Sequence, residues 1–391
     1  MPTTKAFKGL SNVSDSLRLG VAWLAQADNI DITDTGAIKK RTGYRKAFAG
    51  AITGAYSTLD FTRMFVVDGG ALKVLTGPGA ATSLRSGISP ALMHFTEVND
   101  QVFFNNGTDS GIIAPDNTVV EWGWQAPAAP AVTAVTGQLP AGTYQVRCTF
   151  TMPDGRETGA GESAEITLVD GQALQATGLQ LLDKHFTSVY IAPADSTVYQ
   201  RAFTSVGATA FVWNDSPDNL GVDLLTNFYD PLPLGSEVIQ FWRGRMYAAQ
   251  YFAAADQTAI WFSQPLGFHL FDLNQDFILV PGRATMLAPH DSALVIGTEA
   301  RVFAYDGTKL EQLAPYGVVP GDHWARDDER VLFWSTRGLC AAMPFTNLTE
   351  GQVSVAPGVS AGGTLVLRDG RKRYLVALRQ GGAAFNPLSN I

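Results

Sequence analysis

Five histidines, two cysteines and a few charged runs are the residues whose types could do chemistry. His94, His185, His269, His290 and His323 are scattered, and no two fall at metal-ligand spacing on one element. They read as surface or strand-end residues. Cys148 and Cys340 are too far apart and too few for a disulfide framework or a thiolate metal site, and read as reduced residues packed in strands. The most metal-like string is Asp28-Asn29-Ile30-Asp31-Ile32-Thr33-Asp34-Thr35-Gly36. Its carboxylates and glycine miss the spacing of a twelve-residue calcium loop, so it reads as a strand ending in an Asp-Thr-Gly turn. Lys39-Lys40-Arg41-Thr42-Gly43-Tyr44-Arg45-Lys46 could touch phosphates, lie in solvent, or pair with acidic parts of the chain. No nucleophile elbow, phosphate loop, dinucleotide fingerprint or zinc-protease helix is present, and Gly358–Gly363 has turn composition only. Nothing marks a pair of acids that would converge as a glycosidase requires. The blade signatures of sialidases and of Trp-Asp repeats are missing as well, Ser335-Thr336-Arg337-Gly338 being no match. The expectation is a protein that is not an enzyme, with no catalytic, cofactor-binding or metal residues and no cofactor.

The elements available to position side chains are set by composition. The chain of 391 residues is 46% hydrophobic and 10% aromatic, enough for a sizeable core. Charged residues are 16%, below the roughly 25% of an average domain, as expected of a surface partly covered by partners. Net charge is −8, which argues against gripping nucleic acid by phosphate neutralisation. The charge is uneven: residues 1–50 and 364–391 each carry +4, leaving −16 on residues 51–363. Basic ends could meet each other within one chain or the acidic body of a neighbour. The first twenty residues contain no apolar signal region and no run of about 18 apolar residues occurs, so neither export nor a membrane anchor is expected. The sequons at Asn12, Asn106 and Asn347 then read as chance.

An apolar run, a tight turn and another apolar run recur six times, with turns at Asp68-Gly69-Gly70, Asn99-Asp100, Arg243-Gly244, His290-Asp291, Asp327-Asp328 and Asp369-Gly370. These turn residues tolerate positive φ, and their flanks are rich in Val, Phe, Tyr, Trp and Leu. The intervals are 32, 144, 47, 37 and 41 residues. Removing residues 126–216 reduces the long one to 53. A repeat of about 40 residues built from hairpins predicts an all-β chain, a β-propeller of about six blades.

Residues 126–216 read as an inserted module. Ala126-Pro127-Ala128-Ala129-Pro130-Ala131 is a stiff linker, and Asp230-Pro231-Leu232-Pro233 is another. Between them, Tyr144–Phe150 alternates like a strand with one buried face, and further runs follow at Ala164–Leu168, Thr187–Ala192, Val198–Phe203 and Thr209–Trp213. This predicts an immunoglobulin- or fibronectin-like β-sandwich. The division is therefore 1–125, first part of the propeller; 126–216, inserted sandwich; 217–391, second part. Helix signals are scarce; Val21–Ala27 could make about two turns or a strand.

Gly9-Leu10-Ser11-Asn12-Val13, followed by Ala27 through Tyr44 with Asn29-Ile30-Asp31-Ile32-Thr33-Asp34, Gly36, Ile38, Arg41 and Gly43-Tyr44, resembles the opening of virion proteins of tailed phages. The chain resembles the tail nozzle (hub), or packaged-DNA-stabilising, propeller proteins of short-tailed, podovirus-type bacteriophages. That resemblance implies a homohexameric ring in the virion, assembled in the host cytoplasm and placed below the adaptor on the portal side. It also implies neighbouring tail fibre, spike or needle proteins, and a central channel that DNA passes without tight binding during retention and ejection. No catalytic residue is implied. The other readings are a carbohydrate- or receptor-binding propeller of the virion and a propeller hydrolase.

Overall fold

The computed structural model describes residues 6–381 apart from 34, 44, 45, 47, 183, 184, 195 and 369. Its local logic starts at the turns. Asn99 (φ 52°) and Asp100 (φ 61°) close a two-residue hairpin in which Val98 pairs with Gln101. Arg243 (45°) and Gly244 (77°) do the same between Trp242 and Arg245. Asp327 pairs with Arg330 around Asp328 (47°), and Asp68 with Ala71 around Gly69 and Gly70. Arg368 pairs with Arg371, whereas the turn after Pro289 is wider, its partner being Leu294.

Among the described residues these hairpins build five antiparallel meanders, spanning residues 52–86, 94–120, 236–281, 284–314 and 325–347. The sixth repeat is a single hairpin, Ser360–Arg368 with Arg371–Arg379. The architecture is all-β, with no α-helix among the described residues and one 3-10 turn at Pro217–Asn219. Where Val21–Ala27 offered about two helical turns or a strand, a two-residue strand, Trp23–Leu24, runs parallel to Gly9–Leu10. The short first interval of the repeat is also explained. The turn at Asp68 joins the second and third strands of its sheet, but Asn99-Asp100 joins the first and second. The equivalent turn in the first sheet lies between Ser57 and Met64, about 40 residues before Asp100.

Each sheet packs on the next through its own apolar cluster. Phe65, Val67 and Leu72 meet Phe95, Val102 and Phe104. On the opposite face of that second sheet, Val98, Phe103 and Trp122 meet Ile239, Met246 and Phe271. Val238 and Trp242 then meet Leu287 and Ile296; Met286 and Val295 meet Val331 and Phe333; Val319 and Trp334 meet Ala361. Because adjacent residues of one strand face different neighbours, both must be apolar, and the strands read as continuous runs rather than alternating ones. Each large side chain so buried stabilises by about 1.5–3 kcal/mol.

Seven strands between Ala131 and Trp213 pair only among themselves, in a three-stranded and a four-stranded sheet. Tyr144, Val146, Cys148, Val189 and Ile191 of the larger sheet pack on Leu139, Leu174 and Trp213 of the smaller. Two of the strands, Ala131–Leu139 and Gln172–Thr177, were not anticipated by the sequence reading. Residues beyond 216 continue to pack here: Arg201 N–H donates to Val222 O (2.9 Å), Leu224 N–H to Tyr199 O (2.8 Å) and Ala160 N–H to Thr226 O (3.2 Å). The module is anchored where Arg156 donates to the Glu121 carbonyl (2.8 Å) and to that of Trp122, and where His269 Nε2 donates to Glu157 O (3.0 Å).

The first and last described segments lie together: Asp31 pairs with Arg373 (3.3 Å) and Arg368 bonds Thr42. These are side-chain ties; among the described residues no strand ladder joins the N-terminal strands to the 360–379 hairpin.

Candidate functional site

The first strands of the 94–120, 236–281 and 284–314 sheets converge with the loop before Ala325. His94, Gln240, Thr285, Asp322 and Trp324 are among the residues around the cavity left there. Polar side chains stitch the strands across it. Gln240 Nε2 donates to Thr96 Oγ1 (3.1 Å), which also accepts from Phe241 N–H (3.2 Å). Tyr56 OH, from the 52–86 sheet, donates to Glu97 Oε2 (3.3 Å), and that oxygen accepts Leu59 N–H as well (2.9 Å). On the other side Tyr374 OH donates to His323 O (2.5 Å).

The electrostatics follow from crowding. Burial pushes His94 down to about 4, so its imidazole is neutral at neutral pH. Burial raises Asp322 to about 6. The residue still reaches solvent while protein crowds its carboxyl on most sides. Burial, then the charge of Glu97, raises the Tyr56 phenol above its ordinary range, and burial followed by Asp322 does so for Tyr374. The cavity measures about 10 Å³, room for roughly one water molecule.

His323 departs from the sequence reading of a surface or strand-end residue. His323 is fully buried: Nε2–H donates to Val319 O (2.6 Å) and Nδ1 accepts Trp334 N–H (3.1 Å), which sets the tautomer. It is a structural bracket, invisible locally because its burial is made by distant elements. His94 opens strand His94–Val98, a strand end as expected, and is half-buried at the convergence point. His290 donates to Glu329 O (2.8 Å), and His185 stacks edge-on against Trp124 at 4.2 Å. Among the described residues no cluster of metal-ligating side chains forms. Asp31 lies on strand Ile30–Ile32, Gly36 turns with φ 77°, and Asp34 lies outside the described residues, as do Tyr44 and Arg45. Cys148 and Cys340 are buried and free.

A roomier concavity of about 350 Å³ opens on the inserted module. Val198 and Tyr199 form one wall; Asp223, Leu225, Asn227 and Phe228 form the other. On the sequence reading residues 223–229 fall in the second part of the propeller, so the Leu-Leu-Thr-Asn-Phe-Tyr run of residues 224–229, a usable signal, is not joined to Tyr199.

No protein-family model and no curated protein sequence matches the chain. Among solved structures it is similar to the extracellular domain of a hybrid two-component system protein of B. thetaiotaomicron, at 10% identity and a TM-score of 0.30, covering 82% of this chain and 36% of that one. It is also similar to PorZ, a surface component of the type-IX secretion system of Porphyromonas gingivalis (12%, TM-score 0.24, 88% of this chain and 40% of that one). A third is Kluyveromyces lactis Hsv2 (11%, TM-score 0.30, 82% and 88%). The chain thus spans well under half the length of the first two, and at these scores nothing about it follows from them.

Proposed function

We propose that this chain is a non-enzymatic virion component: a propeller subunit of the tail-nozzle ring of a short-tailed bacteriophage, carrying an immunoglobulin- or fibronectin-like sandwich. The observation that carries the reading is how the stretch resembling nozzle proteins is used. Asn12, Asp31 and Thr42 all lie in or beside it, and each bonds a residue between Ser354 and Arg373. The shared residues do structural work, tying the two chain ends, which suits an assembly protein and demands no reaction. The successive face-to-face packing of the sheets supports the propeller. In this reading the DNA channel runs between the six copies. The −16 carried by residues 51–363 would let a duplex slide along that channel unheld. The adaptor ring above and the fibre, spike or needle proteins below are its neighbours. Reconstruction of the assembled particle tests this reading, together with light scattering on the purified chain with and without an adaptor ring. Six copies around the DNA axis are expected; a position off that axis would refute it.

A further inference from the structure

We propose that the hairpin tip at Leu59–Phe61 of one copy of this chain inserts into the concavity on the inserted module of the next copy, a head-to-tail contact. The tip is an apolar knob: Leu59 is exposed, Phe61 is 86% exposed, and Asp60 lies between them. It is held rigidly. Thr58 N–H donates to Arg63 O (2.9 Å), Arg63 N–H to Thr58 Oγ1 (3.0 Å) and Thr62 N–H to Asp60 Oδ1 (3.1 Å). Leu59 N–H donates to Glu97 Oε2 (2.9 Å), and the Arg63 guanidinium donates to Ala114 O (2.8 Å) and Asp100 O (2.7 Å), which fix the tip to the next sheet. Phe61 adopts φ 59°, a conformation that bulky residues rarely take. Such strain persists where the surroundings impose it and gathers at functional positions. Here it presents an aromatic ring to solvent.

The concavity has the matching shape and character. Its volume of about 350 Å³ exceeds the roughly 150 Å³ that holds a benzene ring, so a phenyl group enters with space for a leucine beside it. Val198, Leu225 and Phe228 line it and are all exposed, Phe228 by 68%. Charge points to a copy of this chain as the occupant. Arg201 stands beside the concavity: its N–H donates to Val222 O (2.9 Å), and Val222 precedes Asp223 of the wall. Arg201 is exposed and makes no ion pair among the described residues, so it is available to Asp60 of an entering tip. Asp223 is already engaged by Gln200 Nε2 (3.0 Å).

Knob and hollow lie at opposite ends of the sheets. The tip joins the first two strands of its sheet and, through Arg63, touches the equivalent turn of the next at Asp100. The module instead joins where strand Val119–Val120 ends and strand Ser236–Trp242 begins, away from that row of turns. Complementary patches on opposite sides of one subunit give a heterologous contact, which builds a ring when its rotation closes. This names the contact by which copies of the ring proposed above would meet, and for its place in the particle it rests on that reading.

The test is sedimentation velocity on the full-length protein over a concentration series up to its solubility limit. The parent should associate beyond the dimer. Phe61→Asp and Phe228→Asp should each weaken association about tenfold or more, with melting temperatures near the parent's because both side chains are exposed. Mixed in equal amounts, the two variants should form dimers and stop there, since one offers only a hollow and the other only a knob. Arg201→Glu should also weaken association, whereas Val206→Asp, at another exposed position of the module, should leave it unchanged. A parent that stays monomeric, a mixture that does not dimerise, or association undiminished in Phe61→Asp or Phe228→Asp overturns the proposal. Failure of the ring reading looks different. A hexamer built equally well by Phe61→Asp removes this contact and keeps the ring; knob-and-hollow pairing in a chain found off the DNA axis of the particle keeps the contact and removes the ring.

Discussion

Asn12 and Ser354 hold each other by two reciprocal hydrogen bonds: Asn12 Nδ2 donates to Ser354 O at 2.8 Å, and Ser354 N–H donates to Asn12 Oδ1 at 2.7 Å. A third bond, Asn12 N–H to Gln352 O at 3.0 Å, completes the clasp. An amide side chain is needed because it alone offers donor and acceptor side by side. Asn12→Ala should therefore destabilise by about 1–2 kcal/mol, and Asn12→Asp by a similar amount, since it keeps the acceptor and loses the donor. Urea denaturation checks this. If both variants match the parent, the clasp contributes nothing to stability.

Phe333 and Trp334 are both buried, facing opposite sides of one strand. Phe333 packs with Met286 and Ala288 of the preceding sheet; Trp334 packs with Val319 and Ala361, its Nε1 donating to Pro357 O at 3.1 Å. Truncating either to Ala should cost about 3–5 kcal/mol. Trp334→Ala should in addition loosen the 360–379 hairpin, seen as faster amide exchange there than in Phe333→Ala.

The convergence point predicts two opposed pH effects. His94 has its folded pKa near 4, below the ordinary 6.5. The unfolded chain binds the proton more readily, so its contribution is complete above about 6.5 and is lost as pH falls toward 4. Asp322 is raised from 3.8 to about 6; its contribution is complete below about 3.8 and is lost as pH rises through 6. Asp322→Asn should therefore raise the melting temperature relative to the parent at pH 8 and change it little at pH 4. An equal shift at both pH values would contradict the burial of this carboxyl.

The inserted module needs its C-terminal cover. Leu224 is buried against Tyr190, Ala192 and Tyr199, and Leu220 packs on the sandwich core. A fragment of residues 126–231 should show a β-type circular dichroism spectrum and a cooperative melt, at a higher temperature than residues 126–216. Equal melting of the two fragments would mean that residues 217–231 add nothing to the module.

The hairpins were legible because positive φ at two-residue turns restricts the residue types, and Asn99-Asp100 and Arg243-Gly244 carry that restriction locally. Strands such as Ile52–Ser57 and Ala131–Leu139 escaped notice for the opposite reason. Their runs, Ile-Thr-Gly-Ala-Tyr-Ser and Ala-Val-Thr-Ala-Val-Thr-Gly-Gln-Leu, are small and half-exposed, and the partner of the second, Gln172–Thr177, is distant in sequence. The convergence of Tyr56, His94, Asp322 and Tyr374 could not be read at all. Those residues share no local pattern; they come from strands Ile52–Ser57, His94–Val98 and Arg371–Arg379 and from the loop before Ala325, which meet only once the sheets are placed. The concavity on the module was hidden by a boundary: with residue 217 assigned to the ring, Phe228 and Tyr199 fall in different bodies.

The module leaves and returns to the sheets at almost one point. A Cβ added at Gly123 would stand 3.3 Å from the Cβ of Pro231, and just beyond, Asp230 and Phe271 exchange backbone hydrogen bonds of 2.8 Å in both directions. A gene with this arrangement can trade the intervening hundred or so codons by recombination without moving either flank, because the gap to be bridged is only a few ångströms wide. The sheets and the module are then free to diverge at different rates, the former constrained by mutual packing and the latter by whatever its outer surface must meet.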